Sequence, residues 1–141
     1  MGHSYVDFGG HSELFADIDV IVWVRCLAAE DDLTQPSACD SSRLRAMLVF
    51  WRYPEAFPGP GCINLELDKY MEDEGSREEL QSLMKKVEER IKEFGRVVPC
   101  EYLNRIKSPP GYEFHDLPSE RVLNVLDRFR CLLIKGTHAA P

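Results

Sequence analysis

Hydrophobic positions recur at helical spacing along several stretches of this chain, most clearly from Ser76 to Phe94. There Leu80, Leu83, Met84, Val87, Ile91 and Phe94 fall on one face of a helix, with polar residues between them. Ser76 followed by Glu79 has the spacing of a capping box, in which each side chain satisfies an exposed amide of the first turn. Glu88 and Lys92 add a favourable i,i+4 pair worth about 0.2–0.5 kcal/mol. Gly95 supplies a left-handed stop.

The same pattern predicts a second helix over Asp116–Lys135, with Val122, Val125, Leu126, Phe129 and Leu133 as its stripe. Asp116 can cap it, Pro118 is tolerated in a first turn, and Gly136 ends it. A third helix spans Asp40–Tyr53. It starts at Ser41 or Ser42, carries Leu44, Met47, Leu48 and Trp51 on one face, and stops before Pro54. Ile18–Glu30 is ambiguous: its β-branched residues suit a buried strand, but its length, Asp17 as a cap and the Val20, Trp23, Val24 and Leu27 face favour a helix. Alternation of Ile63, Leu65 and Leu67 with polar residues marks "CINLELD" as a short strand or extended arm, which "SYVDF" near the N-terminus could pair with. "RVVPCEYLNRI" reads as an extended piece, then a helical turn begun by Pro99. The sum is a mainly α (α+β) fold, with about four main helices and a short two-stranded β element.

A length of 141 residues suggests one domain spanning 1–141, large enough to bury a core without staples. The net charge of −7 disfavours nucleic acid and anionic membranes and favours a basic protein partner. Arg43, Arg45 and Arg52 on one helix are too few and too interleaved with its apolar face to change that expectation, and snorkelling or local pairing suits them better. The five cysteines are scattered, without a CxxC pair, which fits a reducing compartment better than a disulfide framework or a zinc knuckle. Cys26 and Cys131 lie in apolar runs and read as small core residues. The first ten residues carry no secretory pattern, and Val6 stands where a myristoylation signal wants Ser or Thr. The longest apolar stretch, Val20–Ala29, is interrupted by Arg25 and too short to span a bilayer. A cytoplasmic location is expected.

Candidate chemistry is sparse. "LDKYMEDEGSREEL" is strongly acidic, but a calcium loop started at Asp68 would place Tyr70 at its third position and Asp73 where glycine belongs. Carboxylates at a helix start have an ordinary cause, complementing the positive end of the helix dipole. They also stay exposed and close together, which suits docking. The pairing of Cys100 or Cys62 with His115 or His11 is possible on paper, but no catalytic fingerprint surrounds either cysteine. His3, His11 and His138 near the ends read as solvent-exposed, and Trp23, Phe50, Trp51, Phe94 and Phe129 as core. No enzyme activity, metal or cofactor is expected.

Tyr5, the cap Asp17, Leu67-Asp68 in "INLELDKYMEDE", Phe94-Gly95, Leu103-Asn104 and the Pro118-led final helix ending "LLIKG" together resemble a family of small bacterial immunity proteins encoded beside polymorphic toxins. The likeness extends over scattered positions from Ser4 to Gly136. It departs from the family's pattern at "GGHSELF", where only Phe15 answers to the family's aromatic residues. It implies a non-catalytic protein that binds and occludes a cognate toxin enzyme, so the expected partner is a protein with a basic surface. Glu72, Asp73 and Glu74 are the candidate partner-binding residues, with Glu30, Asp31 and Asp32 in the first interhelical loop as a competing surface. The alternatives are a generic interaction module or a phage-type inhibitor of a host enzyme, and a small enzyme with an unrecognised site.

Overall fold

A computed structural model describes residues 2–34 and 42–138 of the chain. The elements run β1 (His3–Phe8), β2 (His11–Ala16), α1 (Asp17–Thr34), α2 (Arg43–Phe50), α3 (Leu67–Tyr70), α4 (Glu74–Phe94), β3 (Val97–Val98), α5 (Cys100–Leu103), β4 (Leu117–Pro118) and α6 (Ser119–His138). The architecture is mainly α with minor β structure, as the pattern predicts. Helices α1, α2, α4 and α6 are the longer ones, and α3 and α5 are four-residue turns.

Ile18–Glu30 is helical, and its ambiguity has a physical source. Helix α1 packs against α2, α4, α5, α6 and β2. Every residue from Val22 to Glu30 is buried. A helix covered on all sides has no polar face to betray its period. Its core is a column of rings. Trp23 stacks on Phe129 at 3.9 Å, Phe129 stacks on Phe15 at 4.3 Å, and Arg128 lies over Phe15 at 4.1 Å. Trp51 leans on Trp23 at 5.4 Å and donates its indole N–H to the Leu65 carbonyl.

The first strand does not pair with "CINLELD". Its partner is β2, antiparallel and in a register that opposes Phe8 to His11 across the Gly9-Gly10 turn. Both glycines have positive φ, and a two-residue turn of that kind favours an adjacent hairpin over a distant strand. In "CINLELD" Leu65 and Leu67 are buried as the alternation suggests. No ladder forms, because Glu66 turns into the left-handed region at φ 56° and Leu67 opens α3.

Helix boundaries also move. Helix α4 starts at Glu74 with Asp73 as its N-cap, so Ser76 and Glu79 do not form a capping box; Glu79 is exposed. The stripe of α4 is buried as expected at Leu80, Leu83, Met84, Val87 and Ile91, and Gly95 closes the helix at φ 89°. Helix α2 begins after Ser42, whose side chain accepts from the Arg45 amide; Asp40 and Ser41 lie outside the described residues. Helix α6 begins at Ser119, because Pro118 is taken up in the β3–β4 pairing and Asp116 accepts from the Cys100 amide instead of capping. Gly136 continues α6 rather than ending it. A Cβ there would clash with the Phe8 ring edge and carbonyl, so the missing side chain lets the hairpin close on the helix. The apolar stripe of α6 is buried as predicted.

Candidate functional site

The predicted acidic residues divide between those held by the fold and those left exposed. The Asp73 carboxylate accepts from the amide (3.0 Å) and hydroxyl (2.7 Å) of Ser76, and these bonds hold its pKa below the usual carboxylate range. Arg43 of α2 sits 3.6 Å from Glu72 and 3.5 Å from Asp73. Glu74 is the first residue of α4 and is exposed. Glu30, Asp31 and Asp32 lie within α1, not in a loop. Glu30 is buried: Arg90 donates to its two oxygens at 2.9 Å each, and Tyr102 donates its hydroxyl at 2.9 Å. It therefore offers nothing to a partner. Burial raises the Tyr102 pKa, with Cys26 and Glu30 adding to the effect. Asp31 pairs with Arg45, and Asp32 with Arg105 at 2.7 Å. The two acidic sets thus flank the start of α2, each facing an arginine from it.

The cysteines divide differently from the reading of apolar runs. Cys26 is buried and its thiol is pushed up to about 12, chiefly by burial. Cys131 is exposed on α6, because it falls outside the stripe of that helix. Cys62, Cys100, Cys26 and Cys131 are free thiols, and Cys39 lies outside the described residues. Among the described residues Cys100, Glu101 and Asp116 bring ligand atoms within 4.8 Å of one another. Asp116 there accepts from the Cys100 amide at 2.8 Å, and its hydrogen bond to the thiol raises the Cys100 pKa. His115, the possible partner of Cys100, is exposed.

The feature missed in the sequence is an apolar groove of about 380 Å³ beside the start of α1. Helix α1 contributes Asp17, Ile18 and Ile21. The loop after α2 contributes Tyr53, Phe57 and Pro60, and the segment before β4 contributes Pro109, Pro110 and Tyr112. Positions 17, 21 and 25 share one face of α1 at i, i+4, i+8 spacing, and the charged residues at either end of that face hold the two loops. At one end, Asp17 accepts from the Gly61 amide at 2.8 Å and from the Ser4 hydroxyl at 2.6 Å. The Ser4 hydroxyl accepts in turn from the Ile63 amide at 3.2 Å.

At the other end, Arg25 is fully buried. Its guanidinium donates to the carbonyls of Leu103, Ser108, Pro109 and Tyr112 and to the Asn104 side chain, at 2.6–3.1 Å. Its Cζ lies 5.4 Å from the centroid of the Phe114 ring. Burial lowers the Arg25 pKa, and Glu113 opposes that shift. The Ser108 hydroxyl also donates to the Trp51 carbonyl at 2.9 Å, which ties the two loops to each other. The trace of this site in the sequence is a pair of Pro/Gly-rich segments, at 54–61 and 108–111, whose composition marks turns but not that the two meet.

Compared with protein-family models, with curated proteins and with solved structures, the chain matches none. Among the described residues no helix is long and apolar enough to cross a membrane.

Proposed function

We propose that this chain is a non-catalytic binding protein that occludes a basic toxin enzyme, as its resemblance to bacterial immunity proteins implies. The observation that carries the reading is the apolar groove. Its surface is built of aliphatic side chains, prolines and aromatic rings, and both of its loops are tied to α1 by hydrogen-bonded side chains. A preformed concavity of this kind lowers the ordering cost of docking and suits a partner's anchor residue. The net charge of −7 would speed encounter with a cationic enzyme. The free thiols Cys26, Cys62, Cys100 and Cys131 suit action in the cytoplasm, where such an enzyme would have to be restrained.

Co-expression with the product of the adjacent gene, followed by size exclusion, tests the reading. The expected outcome is a co-eluting complex in which that product's enzymatic activity is suppressed. Separate elution, with the activity undiminished, would overturn it.

A further inference from the structure

We infer that the groove beside α1 receives an arginine side chain of the partner protein, with its stem against the aliphatic and proline surface and its guanidinium directed to Asp17. This rests on the binding-protein reading and assigns that surface a specific occupant. Asp17 is 8% exposed and lines the groove. Its carboxylate accepts from a hydroxyl and from a backbone amide, both neutral. No lysine, arginine or histidine among the described residues pairs with it; the nearby Arg121 is bonded to Asp19 instead, at 3.1 Å. With neutral donors alone, the carboxylate has no cation of its own among the described residues, and the apolar surroundings strengthen its interaction with one that arrives.

The rest of the groove matches the remainder of an arginine. Ile18, Ile21 and Pro110 suit a methylene stem, which prefers apolar contact while its head stays polar. Tyr53 and Tyr112 also line the groove, and an aromatic ring is a surface to which a planar guanidinium is attracted. Tyr53 is 55% exposed, so the ring is available from solvent and would be covered on binding. Arginine is preferred to lysine because its planar head can bond a carboxylate and stack on a ring together. Gly2 packs tightly at this end: a Cβ there would clash with the Gly61 backbone and lie 2.7 Å from the Asp17 Oδ2.

The test uses the isotopically labelled full chain and, as probe, N-acetyl-arginine methylamide, with the neutral citrulline analogue and n-butylammonium as controls. The Gly61 amide, which donates to Asp17, is the reporter. Saturable shifts at Gly61 and Gly111 with the arginine probe are expected, with at least fivefold weaker binding of both controls. Asp17→Asn should abolish the preference over citrulline. If that variant does not fold, Tyr53→Ala, at an exposed ring, should still weaken the arginine probe several-fold. No shift, equal shifts with citrulline, or tighter binding of n-butylammonium would overturn the proposal, the last by reassigning the groove to small cations. In the co-expressed complex, Asp17→Asn and Tyr53→Ala should each raise the dissociation rate at least tenfold. A complex that forms normally with both variants would sink the arginine site and leave the binding function standing; absence of any complex with the unaltered chain would sink the function itself.

Discussion

Arg25 and Glu30 sit on the same helix, and both reverse what their residue types suggest. In the sequence, Arg25 is an interruption of an apolar run and Glu30 a loop carboxylate available to a partner. In the fold both are interior. Their partners lie far away along the chain: Arg25 bonds to groups from Leu103 to Tyr112, and Glu30 to Arg90 and Tyr102. No local pattern carries that information. Replacing Arg25 with methionine keeps the volume but leaves the carbonyls of Leu103, Ser108, Pro109 and Tyr112 without their donor. Each orphaned buried acceptor costs about 1–3 kcal/mol. Arg25→Met should therefore lower stability by more than about 4 kcal/mol, while Arg25→Lys, with a single compact head, should fall between. Urea denaturation of the two variants checks the order. Equal midpoints for wild type and Arg25→Met would mean that the segment from Leu103 to Tyr112 stands without the clamp.

At the scale of elements, the amphipathic stripes of α2, α4 and α6 were legible because each helix buries one face and exposes the other. The ends were not, because several residues near each end can cap. Asp73 and Ser76 both suit the start of α4, and Asp73 prevails by accepting from both the amide and the hydroxyl of Ser76. The hairpin is hidden for a related reason: Gly9-Gly10 can end an element as well as join two, and only the pairing of β1 with β2 shows that it makes the tight return.

The cap makes a prediction with a defined pH sense. The folded-state pKa of Asp73 is lowered, first by the Ser76 side-chain bond and then by the backbone bond. Its contribution is therefore fully present above the unfolded aspartate pKa and is lost as pH falls through the lowered folded value. Asp73→Ala should lower the thermal midpoint at neutral pH, and the gap to wild type should narrow on acidification below the usual carboxylate range. Glu79→Gln should leave the midpoint where it was. A larger loss at Glu79 than at Asp73 would restore the capping box.

For the whole molecule, the decisive distinction is between charge that steers and charge that holds the fold together. The net charge of −7 makes approach to a cationic enzyme favourable from any side, but only exposed carboxylates without structural duty can be altered to test it. Glu30 is excluded by burial and Asp73 by its capping bonds. Glu72 and Glu74 remain on one flank of α2, and Asp32 on the other. The exposed pairs Arg43–Glu72 and Arg105–Asp32 contribute little to stability, so their loss should not disturb the fold. If the proposed function holds, Glu72→Lys with Glu74→Gln should slow association with the proposed cationic partner several-fold at low salt, and the difference should shrink as the Debye length falls to about 8 Å near physiological salt. The dissociation rate should hardly change, because steering acts before contact is made. Stopped-flow association across a salt series measures both effects. If Asp32→Lys slows association and the other pair does not, the end of α1 faces the incoming enzyme. If neither alters the rate, encounter is not directed by these carboxylates, and affinity must come from short-range contacts such as those of the groove, where Asp17→Asn acts on dissociation instead.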